Sequence, residues 1–270
     1  MSRVAAIQMV SGAERDANLA QAAALIADAA ARGAQLAVLP ENFALMGAGD
    51  EAKLAVAEAP GGGPLQDFLA QQARAHRLWL VGGTVPLRDE HDATRAYASC
   101  LLYDAQGRLA ARFDKIHLFD VGIPGREEHY AESRSTIAGD AVTVVDTPLG
   151  RLGLAVCYDL RFPELFRRMV DQGVEIVALP SAFTAATGRA HWEVLLRARA
   201  IENLCYVIAP NQGGRHPGGR ETWGDSLIVD PWGVVLDRLP QGPGVVLGEI
   251  DLARLRATRE RFPALRHRRL

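Results

Sequence analysis

The stretch ARGAQLAVLPENF (31–43) returns 140 residues later as DQGVEIVALPSAF (171–183). In each copy a glycine, Gly33 or Gly173, stops a helix. A short apolar run follows, Leu36–Leu39 or Glu175–Leu179, of the length and composition of a buried strand, and it ends on Leu-Pro and an aromatic residue. A second pair repeats in the same order. LLYDAQGRLAARF (101–113) matches LIVDPWGVVLDRL (227–239) at an offset of 126, aligning Asp104 with Asp230 and Gly107 with Gly233. The period is too long for a solenoid. The chain therefore reads as an α/β protein of two pseudo-symmetric halves, whose sheets face each other and are covered outside by their own helices. No Ser/Gly linker or charge run separates the halves, so residues 1–270 are expected to form a single domain.

The remaining segments fit this frame. Strands are expected at Val4–Met9, Trp79–Val85, Tyr97–Tyr103, Val142–Asp146, Arg151–Cys157, Cys205–Ala209, Ser226–Val229 and Val245–Ile250. Helices are expected from Ala17 to Arg32 with Asp16 as N-cap, over Pro64–Arg77, from Pro163, and over 189–203. Gly61–Pro64 reads as a loop into a helix.

The net charge of −2 gives no reason to expect nucleic acid or an anionic membrane as a partner. The N-terminal MSRVAAIQMV lacks the apolar core and cleavage site of a signal peptide, and the alanine-rich run 17–31 is broken by Asp28. Three cysteines, Cys100, Cys157 and Cys205, are too scattered for a disulfide framework and form no CxxC metal pair, which fits a cytoplasmic protein. Arg266–Arg269 is a short basic cluster, either a solvated tail or a subunit contact.

Chemistry concentrates where strands end. GLAVCYDLRFPEL (153–165) passes from a buried strand through Cys157 to Pro163, a helix-opening residue. Cys157 is thus either a small buried hydrophobe or a nucleophile on a sharp strand-to-helix turn. Glu41 follows the strand of the first repeat, where it is either a capping residue or a general base. The second repeat has Ser181 at that position, so the frame itself does not require an acid there. Lys115, in RFDKIHLFD (112–120), is either a surface lysine or the cation that acyl transfer needs at the oxyanion, where it would also favour a thiolate. His117 and His191 open a Cys–His alternative. His191 lies beside the core-facing stripe Trp192, Leu195 and Leu196, and His117 would share a face with Lys115 on a strand, so supporting roles fit both better. No Walker A or GxGxxG sequence is present.

LPENF, FDKIHLFD and LAVCYDLRFPEL, in that order, resemble the signature segments of the nitrilase superfamily of carbon–nitrogen hydrolases. The resemblance spans essentially the whole chain and implies an αββα four-layer sandwich. It also implies a catalytic Glu41–Lys115–Cys157 triad, with Glu132 as second glutamate, and no metal or organic cofactor. VCYDLRFPEL, PSAFTAATGRAHWEVLLRARAIEN, QGGRH and VDPWG are most similar to the branch that hydrolyses an amide of a small 2-oxo acid through a thioester. Deaminated glutathione is then the expected substrate, with 2-oxoglutaramate, an N-carbamoyl compound or a catalytically silent scaffold as alternatives. Gly122 departs from the acidic residue common at its position. The Tyr158 N–H is expected at the oxyanion. Arg161 is expected either to clamp a substrate carboxylate, with Thr187 as neutral partner, or to form a structural ion pair. The resemblance further implies a homodimer or larger homo-oligomer, joined through the helix after the nucleophile.

Overall fold

The structure, a computed structural model, describes residues 1–47, 49–125 and 127–269. The first half runs β1 (Ser2–Gln8), α1 (Arg15–Ala31), β2 (Leu36–Val38), α2 (Asp50–Ala55), α3 (Pro64–His76), β3 (Trp79–Val81), β4 (Val85–Arg88), β5 (Ala96–Tyr103) and β6 (Leu109–Asp114). A crossover carries the short strands β7 (Asp120–Gly122), β8 (His129–Ala131) and β9 (Thr136–Ile137). The second half runs β10 (Val144–Thr147), β11 (Gly150–Leu154), α4 (Pro163–Asp171), β12 (Ile176–Ala178), α5 (Ala185–Asn203), β13 (Tyr206–Ala209), β14 (Ser226–Val229) and β15 (Val235–Leu239). β16 (Gly244–Ile250) and α6 (Leu252–Arg261) close the described chain.

One sheet has the order β16-β1-β2-β3-β5-β4, with β6 and β9 also paired to β5; the other has the order β10-β11-β12-β13-β14-β15. Each is built on three parallel strands. Val4 faces Leu36 and Leu36 faces Trp79 in the first, as Leu152 faces Ile176 and Ile176 faces Tyr206 in the second. An antiparallel strand flanks each trio on both sides, β16 and β5 in one, β10 and β14 in the other.

The duplication extends to atoms. Asp104 Oδ1 accepts the N–H groups of Gln106 and Arg108, and Asp230 Oδ1 accepts those of Trp232 and Val234. Both hairpins carry a register shift at the matching place, Leu102/Tyr103 and Ile228/Val229. Gly107 and Gly233 take the left-handed turn at φ +76° and +83°.

Alternation along the strands builds four layers. Val4, Ala6, Leu36 and Val38 point between the sheets, against Leu152, Leu154, Ile176 and Ile228. Their neighbours Ala5, Ile7, Ala37 and Leu39 point outward, under Ile26 of α1 and Leu65 and Leu69 of α3. On the far side Phe166 and Met169 of α4 and Trp192 and Leu196 of α5 join the core of the second sheet.

Some local expectations change. α1 starts at Arg15, one residue before Asp16, with Glu14 as N-cap, and the Asn18 side chain bonds both the N–H and the carbonyl of Gly12 and holds the entry there. The run Trp79–Val85 divides into β3 and β4 at Gly82-Gly83, where Gly83 at φ +58° lets the backbone pass against the Pro40 carbonyl. α5 begins at Ala185 because Thr184 caps it. α2, α6 and the β7–β8 hairpin carried no readable pattern; Leu255 is the one buried residue of α6.

Candidate active site

Four chain segments end in one cavity. β11 continues as extended Ala155–Val156, with Ala155 N–H on Ala178 O at 3.1 Å, and then Cys157 turns sharply at φ +48°. That left-handed geometry costs a non-glycine residue about 1–3 kcal/mol and is characteristic of side chains displayed at functional sites. The turn is held from behind. Cys157 N–H donates to Pro180 O at 2.9 Å, and fully buried Asp159 accepts Val156 N–H at 2.9 Å and His117 N–H at 3.0 Å. His117 Nδ1 lies 2.6 Å from the same carboxylate, and its ring stacks on Phe162 at 3.6 Å. His117 therefore braces the nucleophile turn. It does not share a strand face with Lys115, because β6 ends at Asp114.

Glu41 stands beyond the carboxyl end of β2, its carbonyl accepting Gln212 Nε2 at 3.0 Å. Lys115 follows β6, anchored by its N–H on Ala98 O at 3.1 Å. Glu132 follows β8, and its Oε2 accepts Phe119 N–H at 2.7 Å. The Lys115 ammonium meets Glu41 Oε1 at 2.8 Å and both oxygens of Glu132 at 2.9 and 2.8 Å. It is a buried cation, only 1 % exposed. Such a lysine keeps its charge only when carboxylates surround it.

Burial alone would raise the Glu41 carboxyl. The Lys115 charge, hydrogen bonds from Lys115 and the Cys157 thiol, and the more distant Arg220 outweigh it and hold Glu41 below its ordinary value. Burial lowers Lys115, but Glu132 and Glu41 overcome this and push it well above its ordinary value. For Cys157, burial and the Glu41 charge raise the thiol well up, against smaller opposing effects of Lys115 and the Ala182 N–H. The resting site is thus a neutral thiol beside an ionised carboxylate, and the thiolate that a neighbouring ammonium alone would favour is not its ground state. Cys100 and Cys205 are fully buried core residues; burial raises both thiols, Cys205 to about 12.

The cavity, about 190 Å³, is walled by Glu41, Lys115, Glu132 and Cys157 together with Tyr158 and Thr187. Thr187 lies 2.9 Å, oxygen to oxygen, from the N-cap Thr184. Arg161 is not on this wall. Its guanidinium lies over the rings of Phe183 and Tyr158, at 5.4 and 5.8 Å, and 3.2 Å from His191 Nδ1. Its guanidinium is held by His191 and the two rings and, among the described residues, pairs with no carboxylate. The sequence reading missed Phe119, Tyr130, Lys53 and Arg220, which do line the cavity. They arrive on irregular segments, a short helix and a three-residue strand, with no periodicity or motif to mark them. The β7–β8 hairpin brings Tyr130 in, and Gly122 pairs with His129 across it.

A two-sheet αββα sandwich with Glu, Lys and Cys meeting at strand ends defines a class, and comparison with known proteins agrees with it. The carbon–nitrogen hydrolase family model matches residues 3–260. The chain belongs to that family, and it is an α/β hydrolytic enzyme of the nitrilase superfamily. It is 43% identical over 268 residues to the deaminated glutathione amidase of Yersinia enterocolitica, covering 99% of this chain and 93% of that protein. It is 45% identical over 269 residues to the Homo sapiens deaminated glutathione amidase, covering 98% and 82%. Among solved structures, the Caenorhabditis elegans NitFhit protein superposes with TM-score 0.92 at 39% identity, covering 99% of this chain and 65% of that one. Saccharomyces cerevisiae Nit3 superposes with TM-score 0.88 at 29% identity, covering 100% and 97%.

Proposed function

We propose that this chain hydrolyses deaminated glutathione, releasing 2-oxoglutarate and Cys-Gly through a thioester on Cys157. The observation that carries the chemistry is the set of groups in one cavity: Cys157 beside Glu41, which Lys115 holds at 2.8 Å, with Glu132 on the same ammonium at 2.8 Å. The names of the relatives support the choice of substrate. Glu41 takes the thiol proton as Sγ attacks the amide carbonyl, forming the C–S bond and a tetrahedral oxyanion. Lys115 and the Tyr158 N–H, at the start of a turn whose first N–H groups lack helical acceptors, stabilise that oxyanion. The C–N bond breaks as Glu41 returns the proton to the leaving amine. Water, deprotonated by Glu41, then attacks the thioester, and the acid leaves with Sγ–H restored. Glu132 is a positioning residue, holding two of the ammonium's three N–H donors.

The test is release of 2-oxoglutarate from deaminated glutathione, measured beside 2-oxoglutaramate and an N-carbamoyl amino acid, with intact-protein mass spectrometry for an acyl adduct. Preferred turnover of deaminated glutathione with an adduct absent in Cys157→Ala supports the reading. Preferred turnover of another amide overturns the substrate, and neither adduct nor turnover overturns the enzyme.

Residues 1–270 are read as a single folded unit, because β16 of the second half pairs with β1 and the inter-sheet core draws on both halves. One cooperative unfolding transition is the expected behaviour. The cytoplasmic reading rests on three free cysteines. The homodimer reading rests on exposed apolar side chains, Val194 and Ile201 on α5 with Trp232 and Phe262 beside them. Sedimentation of wild type against Val194→Asp tests it, and a monomer in both overturns it.

A further inference from the structure

We propose that Arg220 recognises a carboxylate of the substrate and so sets a preference for acid amides; this deepens the amidase reading above and rests on it. Arg220 lies on the cavity wall, on the loop before β14. Its Nη2 donates to Ala182 O at 2.9 Å, and Ala182 lines the same cavity as Cys157. The bond ties the guanidinium to the wall that also carries the nucleophile. The guanidinium also sits 5.2 Å over the Tyr130 ring, which restricts its plane.

The donors of Arg220 are underused. The bond to Ala182 is the one hydrogen bond of its guanidinium among the described residues, and its buried Nε has no acceptor. Other arginines of the chain reach carboxylates, Arg199 on Glu202 and Arg238 on Asp225 among them, whereas Arg220 has none among the described residues. The charges of the wall point the same way. Its carboxylates, Glu41 and Glu132, are both committed to Lys115, and the cations Lys53 and Arg220 remain. The cavity therefore holds an excess of positive charge that a substrate anion balances. A tethered planar fork suits a carboxylate better than the single ammonium of Lys53. Arg161, the arginine the sequence offered, is turned to His191.

The carboxylate can belong to the acyl part or to the leaving group, and three substrates separate these: 2-oxoglutaramate (acyl carboxylate only), deaminated glutathione (both) and pentanamide (neither). In Arg220→Met the ratio of kcat/KM for 2-oxoglutaramate to that for pentanamide is expected to fall roughly 10–100-fold, chiefly through KM, with Arg220→Lys intermediate. A fall for deaminated glutathione without one for 2-oxoglutaramate assigns Arg220 to the leaving-group carboxylate. An equal loss for all three amides overturns the proposal and makes Arg220 structural. If the wild type hydrolyses no acid amide, the amidase reading fails by itself. Thermal-shift titration with 2-oxoglutarate then decides: saturable stabilisation of wild type but not of Arg220→Met supports carboxylate recognition, and an equal or absent shift in both overturns it.

Discussion

Replacing Lys115 by Met removes the one ammonium shared by Glu41 and Glu132 and leaves two carboxylates facing each other in a buried site. Breaking a buried ion pair on one side costs about 3–5 kcal/mol, because the remaining charges lose their compensation. The protein has an escape from part of that cost. With the cation gone, the two effects that raise Glu41, burial and a like charge, are no longer outweighed, and its carboxyl moves from below its ordinary value of 4.5 to above it. The sign of the pH dependence reverses accordingly. In the wild type, Glu41 is depressed on folding, so its contribution is present above pH 4.5 and is lost as pH falls through the lower folded value. In the variant the folded state binds the extra proton, so its stability is present below the unfolded value and is lost as pH rises through the raised one. The stability gap between the two proteins is therefore expected to narrow on acidification, by up to ~1.4 kcal/mol per pH unit within the window between unfolded and raised values. Urea unfolding of both proteins at half-unit steps from pH 5 to 8 measures it. A gap that stays constant across those steps refutes the reasoning and removes the charged Lys115 network as its cause. Activity in the same variant falls at least roughly 10²–10³-fold, from the lost oxyanion contact alone.

Other substitutions probe the same site from different sides. Cys157→Ala abolishes turnover and acyl-adduct formation while circular dichroism stays unchanged, and residual turnover would remove Cys157 from the mechanism. Glu132→Gln keeps the shape but weakens the seating of Lys115; kcat is expected to fall more than KM rises, which steady-state kinetics resolves. Asp159→Asn loses charge-assisted bonds to Val156 and His117, about 1.5–3 kcal/mol, and lowers Tm and kcat together; an unchanged kcat would mean that the turn holds its own shape. Arg161→Met leaves the KM for 2-oxo-acid amides within about 3-fold of wild type, since a change smaller than one charge-assisted hydrogen bond is expected of a group outside the cavity wall.

The amino-acid sequence alone determined the duplicated frame and singled out Glu41, Lys115 and Cys157, which the fold brings to one cavity. Leu36–Val38 and Ile176–Ala178 occupy equivalent strands because burial on both faces demands the same apolar run in both halves, and the Asp–x–x–Gly turns demand the same two residues. Glu41, Lys115 and Cys157 were legible because each sits beside a strand end, in a short segment whose order and content are distinctive. Residues whose position depends on long-range packing were not legible. Arg161 follows the nucleophile by four residues, yet the fold sets its guanidinium over Phe183 and Tyr158 and against His191. Arg220 is 63 residues from Cys157 in the chain, and in the fold its guanidinium bonds Ala182 O, beyond β12, at the cavity wall. The charge state of the site is tertiary too. A neutral thiol, an ionised glutamate and a buried ammonium coexist because packing removes water from all three and sets each at hydrogen-bonding distance from the next.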